Sequence, residues 1–396
     1  MNHIKHMETM TSRQRVLNAI NHKPVDRVPI DLGMHYSTGI SAFAYWNLRE
    51  YLGLPTDNIE ITDMVQFLPR VQEDILERFH CDCMLLQPGW TNTRRWNPRD
   101  KYDFIIPHTA NPQLNSEGSW IVERNGRMRM PHNGYFFDGD WLNFEDRSYE
   151  ESLKAMSKEA ERIYKESNYF TSYIGFWGFF VDADIEWQCK MLTDPEEIFE
   201  SNKRCLEDQL KQAADVIRHM GEHIQGVWIN SDLGSQNGPL CRPSVYEELC
   251  APFLKKLCSF IHQNSDYRIF IHCCGSIKPL IPILIDCGID VLNPVQVSAA
   301  NMDPQELKRE FGDKIAFWGG GCDTQNVLNL GSPEEVKSNV RKLVNIFKQN
   351  SGFVFNQIHN IMADIKPENI AAMLDTAYEE SFWCEKCRGG IINEGD

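Results

Sequence analysis

An imidazole and a thiol two residues apart on one β-strand can hold a soft cation between them. The stretch Phe270-Ile271-His272-Cys273-Cys274-Gly275-Ser276 has that spacing. Side chains alternate along a strand, so His272 and Cys274 share one face while Ile271 and Cys273 take the other. Nitrogen beside sulfur suits zinc above other common metals. A third ligand must come from another segment, and His359, in Asn356-Gln357-Ile358-His359-Asn360, stands at the end of a second β-like run. Two histidines and a thiolate leave a fourth tetrahedral position for water or substrate, as in catalytic zinc sites. The competing reading is plain burial, since His-x-Cys is short and a buried cysteine often behaves as a small hydrophobe.

Other polar groups follow other β-like runs. Trp228, Asn230 and Asp232 share a face if their strand extends that far, and Asp232 would orient a ligand histidine, act as a base, or cap the next turn. Gln296 follows another run, and His35 with Tyr36 follows the first. His35, Asp232 and Gln296 are the catalytic candidates. Gly319-Gly320-Gly321-Cys322-Asp323 permits close backbone approach to a phosphate or simply makes a tight turn, with Gly320 and Asp323 the cofactor-binding candidates. Three clusters are weaker. His80-Cys81-Asp82-Cys83 lies at the start of a run and reads as packing, Cys384-x-x-Cys387 is a single pair without a second, and His3 and His6 fall in a leader. No P-loop, nucleophile elbow or kinase signature occurs.

The elements that must position these groups alternate. Short runs rich in β-branched and aromatic residues lie at 28–31, 82–86, 171–177, 226–230, 268–272, 290–293, 315–318 and 353–357. Helical patterns lie at 63–79, 149–165, 195–220, 244–263, 278–287, 304–311, 333–349 and 367–378. In the third of these, Ile198, Cys205, Leu206, Leu210, Ala213 and Ile217 follow a 3.6-residue period. Ser332-Pro333-Glu334-Glu335 has the spacing of a capping box with proline in the first turn. Eight strands alternating with helices predict parallel strands and a (β/α)8 barrel, whose reactive groups sit at the carboxyl ends of the strands. An open doubly wound sheet would favour a glycine-rich turn after the first strand, where Leu-Gly-Met-His-Tyr-Ser-Thr-Gly stands instead. Residues 90–145, rich in Asn, Gly, Pro and aromatics, read as a β-rich insertion after strand two. The domain expectation is therefore a leader and first helix over 1–27, a barrel over 28–380 and a tail over 381–396.

The chain has 396 residues, 42% of them hydrophobic, with 40 basic and 56 acidic side chains giving a formal charge of −16. That is ample for a large core and argues against general nucleic-acid binding, because an acidic surface repels phosphate. The longest apolar run, 173–181, is far short of the roughly 20 residues a membrane span needs. The first ten residues lack the apolar core of a signal peptide, and the 13 cysteines read as reduced thiols of a cytoplasmic protein.

Several of these stretches carry a family likeness. Arg13-Gln14-Arg15-Val16 with Asp26-Arg27-Val28-Pro29, then Phe317-Trp318-Gly319-Gly320, and then His359-Asn360-Ile361 through Pro367-Glu368-Asn369, resemble the uroporphyrinogen decarboxylase superfamily. His272-Cys273-Cys274-Gly275 is similar to the His-x-Cys-Gly metal motif of its zinc- and cobalamin-linked methyltransferases. The likeness covers most of the chain apart from the insertion and both tails. It implies a (β/α)8 barrel and a metal site. In those methyltransferases the third ligand is typically a cysteine, and here His359 takes its place.

The resemblance implies methyl transfer between a small methylated substrate or thiol and a corrinoid cofactor carried by a partner protein, with zinc on His272, Cys274 and His359. Decarboxylation of a tetrapyrrole is the second expectation. The decarboxylases carry an Arg-Gln-Ala-Gly-Arg stretch after strand one to grip carboxylates, whereas this chain has no arginine from Asp31 to Leu48. The third is an inactive barrel that only binds a ligand. Trp90, Trp96, Trp177 and Phe180 either line an apolar pocket or pack the core.

Overall fold

The computed structural model describes residues 8–181 and 184–383. His3, His6 and the Cys384/Cys387 pair lie outside those residues. Six parallel strands form one sheet, in the order Phe353–Val354, Ala316–Trp318, Val291–Asn293, Arg268–His272, Gly226–Asn230 and Ser172–Trp177. Alternation sorts their side chains into two layers. Trp228, Phe270, Val291, Ala316, Trp318 and Val354 form one buried cluster with Phe170, Met34 and Cys83. Val227, Ile229, Ile269, Ile271, Leu292 and Phe317 face the other way into the larger core beneath the helices.

Two of the eight expected strands are reduced to single bridges. Ile30 bridges Phe355 in parallel, and Cys83 bridges Phe170. Backbone hydrogen bonds link these pieces: the Asp31 amide donates to the Phe355 carbonyl, Asp82 to Ile30, and Phe170 to Asp82. Asp82 itself is fully buried, at 2.6 Å from Arg15 and 2.7 Å from Arg27. His80-Cys81-Asp82-Cys83 is thus an ion-paired, buried segment. Burial pushes the Cys81 and Cys83 thiols well above their ordinary range.

The helices mostly stand where the pattern puts them. Pro195–Met220 and Pro304–Phe311 match, and Ser332 with Glu335 forms the capping box ahead of Pro333–Phe347. The buried stripe of Pro195–Met220 keeps Ile198, Leu206 and Ala213 from the apolar pattern and adds Asn202, Gln209 and Val216 beside them. Asn202 donates to the Phe179 and Leu249 carbonyls, and Gln209 accepts from the Trp177 amide, so these polar groups tie the helix to the segment after its strand.

Three expectations fail locally. The helix expected over 63–79 is a strand, Ile59–Asp63, a turn, a second strand, Leu68–Pro69, and only then a helix, Glu73–Arg78. Asp63 stops the strand by accepting from the Val65 and Gln66 amides, and Phe67 takes a left-handed φ of 58°. The helix expected over 244–263 breaks at Cys250 into Pro243–Leu249 and Ala251–Asn264, because Pro252 has no amide to continue the ladder. The β-rich material begins ahead of residue 90. Ile59–Asp63 pairs with Phe104–Pro107 and Leu68–Pro69, while Gln113–Leu114, Trp120–Glu123, Arg127–Met130 and Asp138–Gly139 form a separate antiparallel sheet. Among the described residues no helix is long and apolar enough to cross a membrane.

Candidate metal centre

At the carboxyl ends of the central strands the inner layer turns polar. Asn230, His272 and Asn293 are register neighbours on three adjacent strands, directly above Trp228, Phe270 and Val291. The apolar layer below fixes their height, since each of its large side chains is closed from solvent. Cys274 continues from His272 on the same face, with its Sγ 3.6 Å from His272 Nε2. His359 arrives from beyond the last strand at a left-handed φ of 59°, its ring centroid 5.6 Å from that of His272. One ligand atom from each of His272, Cys274 and His359 lies within 4.8 Å of the other two.

These distances fit zinc. Tetrahedral bonds of roughly 2.05 Å to nitrogen and 2.3 Å to sulfur put the two ligand atoms about 3.5 Å apart. The His272–Cys274 pair therefore stands close to its liganding separation, and the loosest pair needs to close by about 1 Å.

Hydrogen bonding sets which nitrogen of His272 is bare. Asn293, fully buried, donates its Nδ2 to the Trp318 carbonyl at 3.1 Å, which fixes the amide orientation. Its Oδ1 then accepts from Ser37 Oγ at 2.9 Å and from His272 Nδ1 at 3.0 Å. With the proton on Nδ1, the lone pair on Nε2 faces Cys274. His359 is held less firmly. The Asn360 amide donates to its Nδ1 at 2.8 Å, so the ring must give up that contact or turn to coordinate. Burial, then the charge of His272, pushes His359 down to about 4, which keeps it neutral and ligand-competent at physiological pH.

The other expected site residues divide. His35 belongs here: its ring is 5.5 Å from that of His272 and stacks on Trp228 at 4.1 Å. Its Nε2 donates to Asn230 at 3.1 Å, and burial holds it well below its ordinary pKa. Asp232 accepts from the Cys274 amide at 2.8 Å and lies 3.8 Å from His272 Nε2, so it braces the loop that carries the thiol. Gln296 accepts from the Gly275 amide at 2.8 Å and donates to Gln236. Gly275 is required there, since at φ 90° an added Cβ would sit 2.5 Å from the Gly234 carbonyl.

Gly320 and Asp323 join no hydrogen bond to His272, Cys274 or His359 among the described residues. At Gly320 a Cβ would lie 2.8 Å from the Val295 carbonyl. Asp323 caps the turn Thr324–Leu328 by accepting from the Gln325 and Asn326 amides, and its negative charge there opposes a phosphate. The four aromatics set aside for a pocket do not form one. Trp90 donates to the Ile61 carbonyl, Trp96 packs against Phe67 and Trp120, Phe180 packs against Trp187, and Trp177 is 64% exposed. Asn293 and Ser37 escaped the sequence reading. The one signal was register, because Asn293 ends the strand beside His272.

A family model described as uroporphyrinogen decarboxylase (URO-D) matches residues 191–380. The uroporphyrinogen decarboxylase of Chlorobaculum tepidum is 26% identical over 139 residues, 34% of this chain and 38% of that protein. That of Methylococcus capsulatus is 34% identical over 98 residues, 25% of this chain and 26% of that protein. The matched stretches thus span well under half the length of these curated relatives. A solved methyltransferase from Methanosarcina mazei superposes with a TM-score of 0.57 over 94% of this chain and 99% of its own, at 13% identity, which is a likeness of fold. Over residues 191–380 the chain is thus similar to the uroporphyrinogen decarboxylase family.

Proposed function

We propose that this chain is a zinc-dependent methyltransferase that moves a methyl group between a small methylated substrate or thiol and a corrinoid held by a partner protein. The observation that carries the reading is the His272, Cys274, His359 set, with its ligand atoms within 4.8 Å of one another and the His272–Cys274 spacing near that of a tetrahedral edge. Zinc bound there would supply a Lewis acid that favours a thiolate or polarises an oxygen or nitrogen of the methyl donor. The chain's own residues prepare for it. Asn293 keeps the His272 proton on Nδ1, Asp232 and Gln296 hold the Cys274–Gly275 loop by its amides, and neutral His35 adds a polar wall without a charge. The eight runs are taken to close as a (β/α)8 barrel. Supporting this are the bridges at Ile30 and Cys83 and the amide bonds that join them across the gap between the sheet's outer strands.

Decarboxylation of a tetrapyrrole is the second reading, favoured by the names of the relatives above. Against it stands a shortage of carboxylate-binding groups. Arg49, the first arginine after Asp31, is already paired with Asp74 at 2.7 Å. The deciding experiment incubates the zinc-loaded chain with cob(I)alamin and a panel of methoxy, methylamino and methylthio donors, beside a porphyrinogen assay. Methylcobalamin formation that is lost in His272→Ala supports methyl transfer. Porphyrinogen turnover without methylation overturns it, and inertness in both assays with no bound metal favours the ligand-binding barrel.

A further inference from the structure

A cavity of about 360 Å³ opens beside His359. Its walls come from three places: residues 135–141 of the antiparallel sheet region, the segment 359–363 that follows the last strand, and Ser41 with Val65, Gln66 and Leu68. The Phe137 amide donates to the Val65 carbonyl at 2.9 Å, which fixes the first wall against the turn after Ile59–Asp63. Most of the lining is apolar, and Tyr135, Phe136, Phe137 and Trp141 supply the aromatic surface. Trp141, Phe136 and Tyr135 are 72%, 48% and 37% exposed, an unusual density of rings left facing space.

The polar content is what gives the cavity selectivity. Ser41 lines it, is 5% exposed, and its Oγ is buried with no hydrogen-bond partner. Although Ser41 precedes the helix Ala42–Tyr51, its hydroxyl makes no capping bond. A buried hydroxyl without a partner costs free energy unless a ligand completes it. No lysine or arginine is among the lining residues, and the single ionisable acid there is Asp138. Arg99, the cation beside Tyr135, lies 4.4 Å from that ring's centroid and donates to the Gly134 carbonyl. A carboxylate-rich ligand would therefore enter without counter-charges.

We infer that this cavity binds a small neutral aromatic compound carrying a hydroxyl or ether oxygen, with the ring against the 135–141 wall and the oxygen completing Ser41. The inference deepens the proposed function by naming the class of methyl donor or product, and for that role it rests on that reading; the binding itself does not. Aromatic walls favour a flat ring through offset or edge contacts. The volume falls at the lower end of the range for small-molecule sites.

The test is calorimetric titration of the full chain, metal-free and zinc-loaded, with 4-methoxyphenol, its saturated counterpart 4-methoxycyclohexanol, and 4-methoxybenzoate. Saturable one-to-one binding of 4-methoxyphenol is expected. The saturated ring should bind about 2–10-fold more weakly, and the carboxylate at least about ten-fold more weakly. Ser41→Ala should weaken 4-methoxyphenol by about 3–10-fold. Met362→Trp, at a half-exposed lining position, should weaken it further by filling the space. Failure of 4-methoxyphenol to bind either form, equal binding of the carboxylate, or indifference to both substitutions would overturn the inference. If 4-methoxyphenol binds as stated but no methyl transfer occurs, the ligand class stands and the proposed reaction falls. Methyl transfer from other donors with no binding here has the opposite meaning.

Discussion

Asn293→Leu keeps the side-chain shape and removes both hydrogen-bonding roles of a fully buried amide. Its Oδ1 accepts from His272 Nδ1 at 3.0 Å and from Ser37 at 2.9 Å, and its Nδ2 donates to the Trp318 carbonyl. In the variant, a proton left on His272 Nδ1 faces an apolar group, a penalty of about 1–3 kcal/mol. The alternative tautomer avoids that penalty but places the proton on Nε2, where the metal should bind. Either route should cut zinc affinity by about 10–100-fold, the usual cost of losing the group that orients a ligand histidine. Asn293→Asp retains an acceptor and should keep most of the affinity. Competition against a chromophoric chelator measures the affinity. Imidazole nitrogen NMR of the metal-free chain reads the tautomer directly, with Nδ1–H expected in the parent and in Asn293→Asp. Unchanged zinc affinity in Asn293→Leu, or Nε2–H as the resting tautomer of the parent, would refute the reasoning.

Three further outcomes follow from other parts of the fold. Asp31 is fully buried, accepts from Trp318 Nε1 at 2.9 Å, and burial raises its carboxyl to about 6 from an ordinary 3.8. A raised folded-state value favours the protonated form, so this contribution to stability is complete below about pH 4 and is lost as pH rises through about 6. The loss is on the order of 3 kcal/mol, and urea midpoints between pH 4 and 7 should fall less in Asp31→Asn than in the parent. Asp82→Asn leaves the Arg15 and Arg27 guanidiniums buried without their central partner, and urea unfolding should register about 3–5 kcal/mol of lost stability. Ser332→Ala removes the cap of Pro333–Phe347 and should cost about 0.5–2 kcal/mol, read by the same unfolding curves, with zinc content unchanged.

How much was legible beforehand depends on the range of the interactions involved. Alternation within one strand suffices to put His272 and Cys274 on one face, and the pairing of Asn230, His272 and Asn293 realises that face in three dimensions. His359 was reachable because it ends a run whose neighbours converge on the same mouth. Local chemistry also served for the Ser332 capping box, whose partners lie three residues apart. What was missed is non-local. The role of Asn293 needs Trp318 and Ser37, from distant parts of the chain, to orient one amide. The strand Ile59–Asp63 was not singled out, and the segment 63–79 was read as one helix, because the short strands there are defined by pairing with Phe104–Pro107 and Leu68–Pro69 rather than by local spacing. The aromatic wall of the cavity comes from Tyr135–Trp141 rather than from the four aromatics first considered, because the antiparallel sheet, not proximity in sequence, delivers it to His359.

The central claim is that His272, Cys274 and His359 share one cation, and metal analysis of the purified chain tests it most directly. About one equivalent of zinc per chain is expected. It should fall to background in His272→Ala and Cys274→Ala, and be retained more weakly in His359→Ala, whose ring is also engaged by the Asn360 amide. A folded chain that takes up no zinc when it is supplied, or that holds a full equivalent with unchanged affinity in all three variants, would contradict the account.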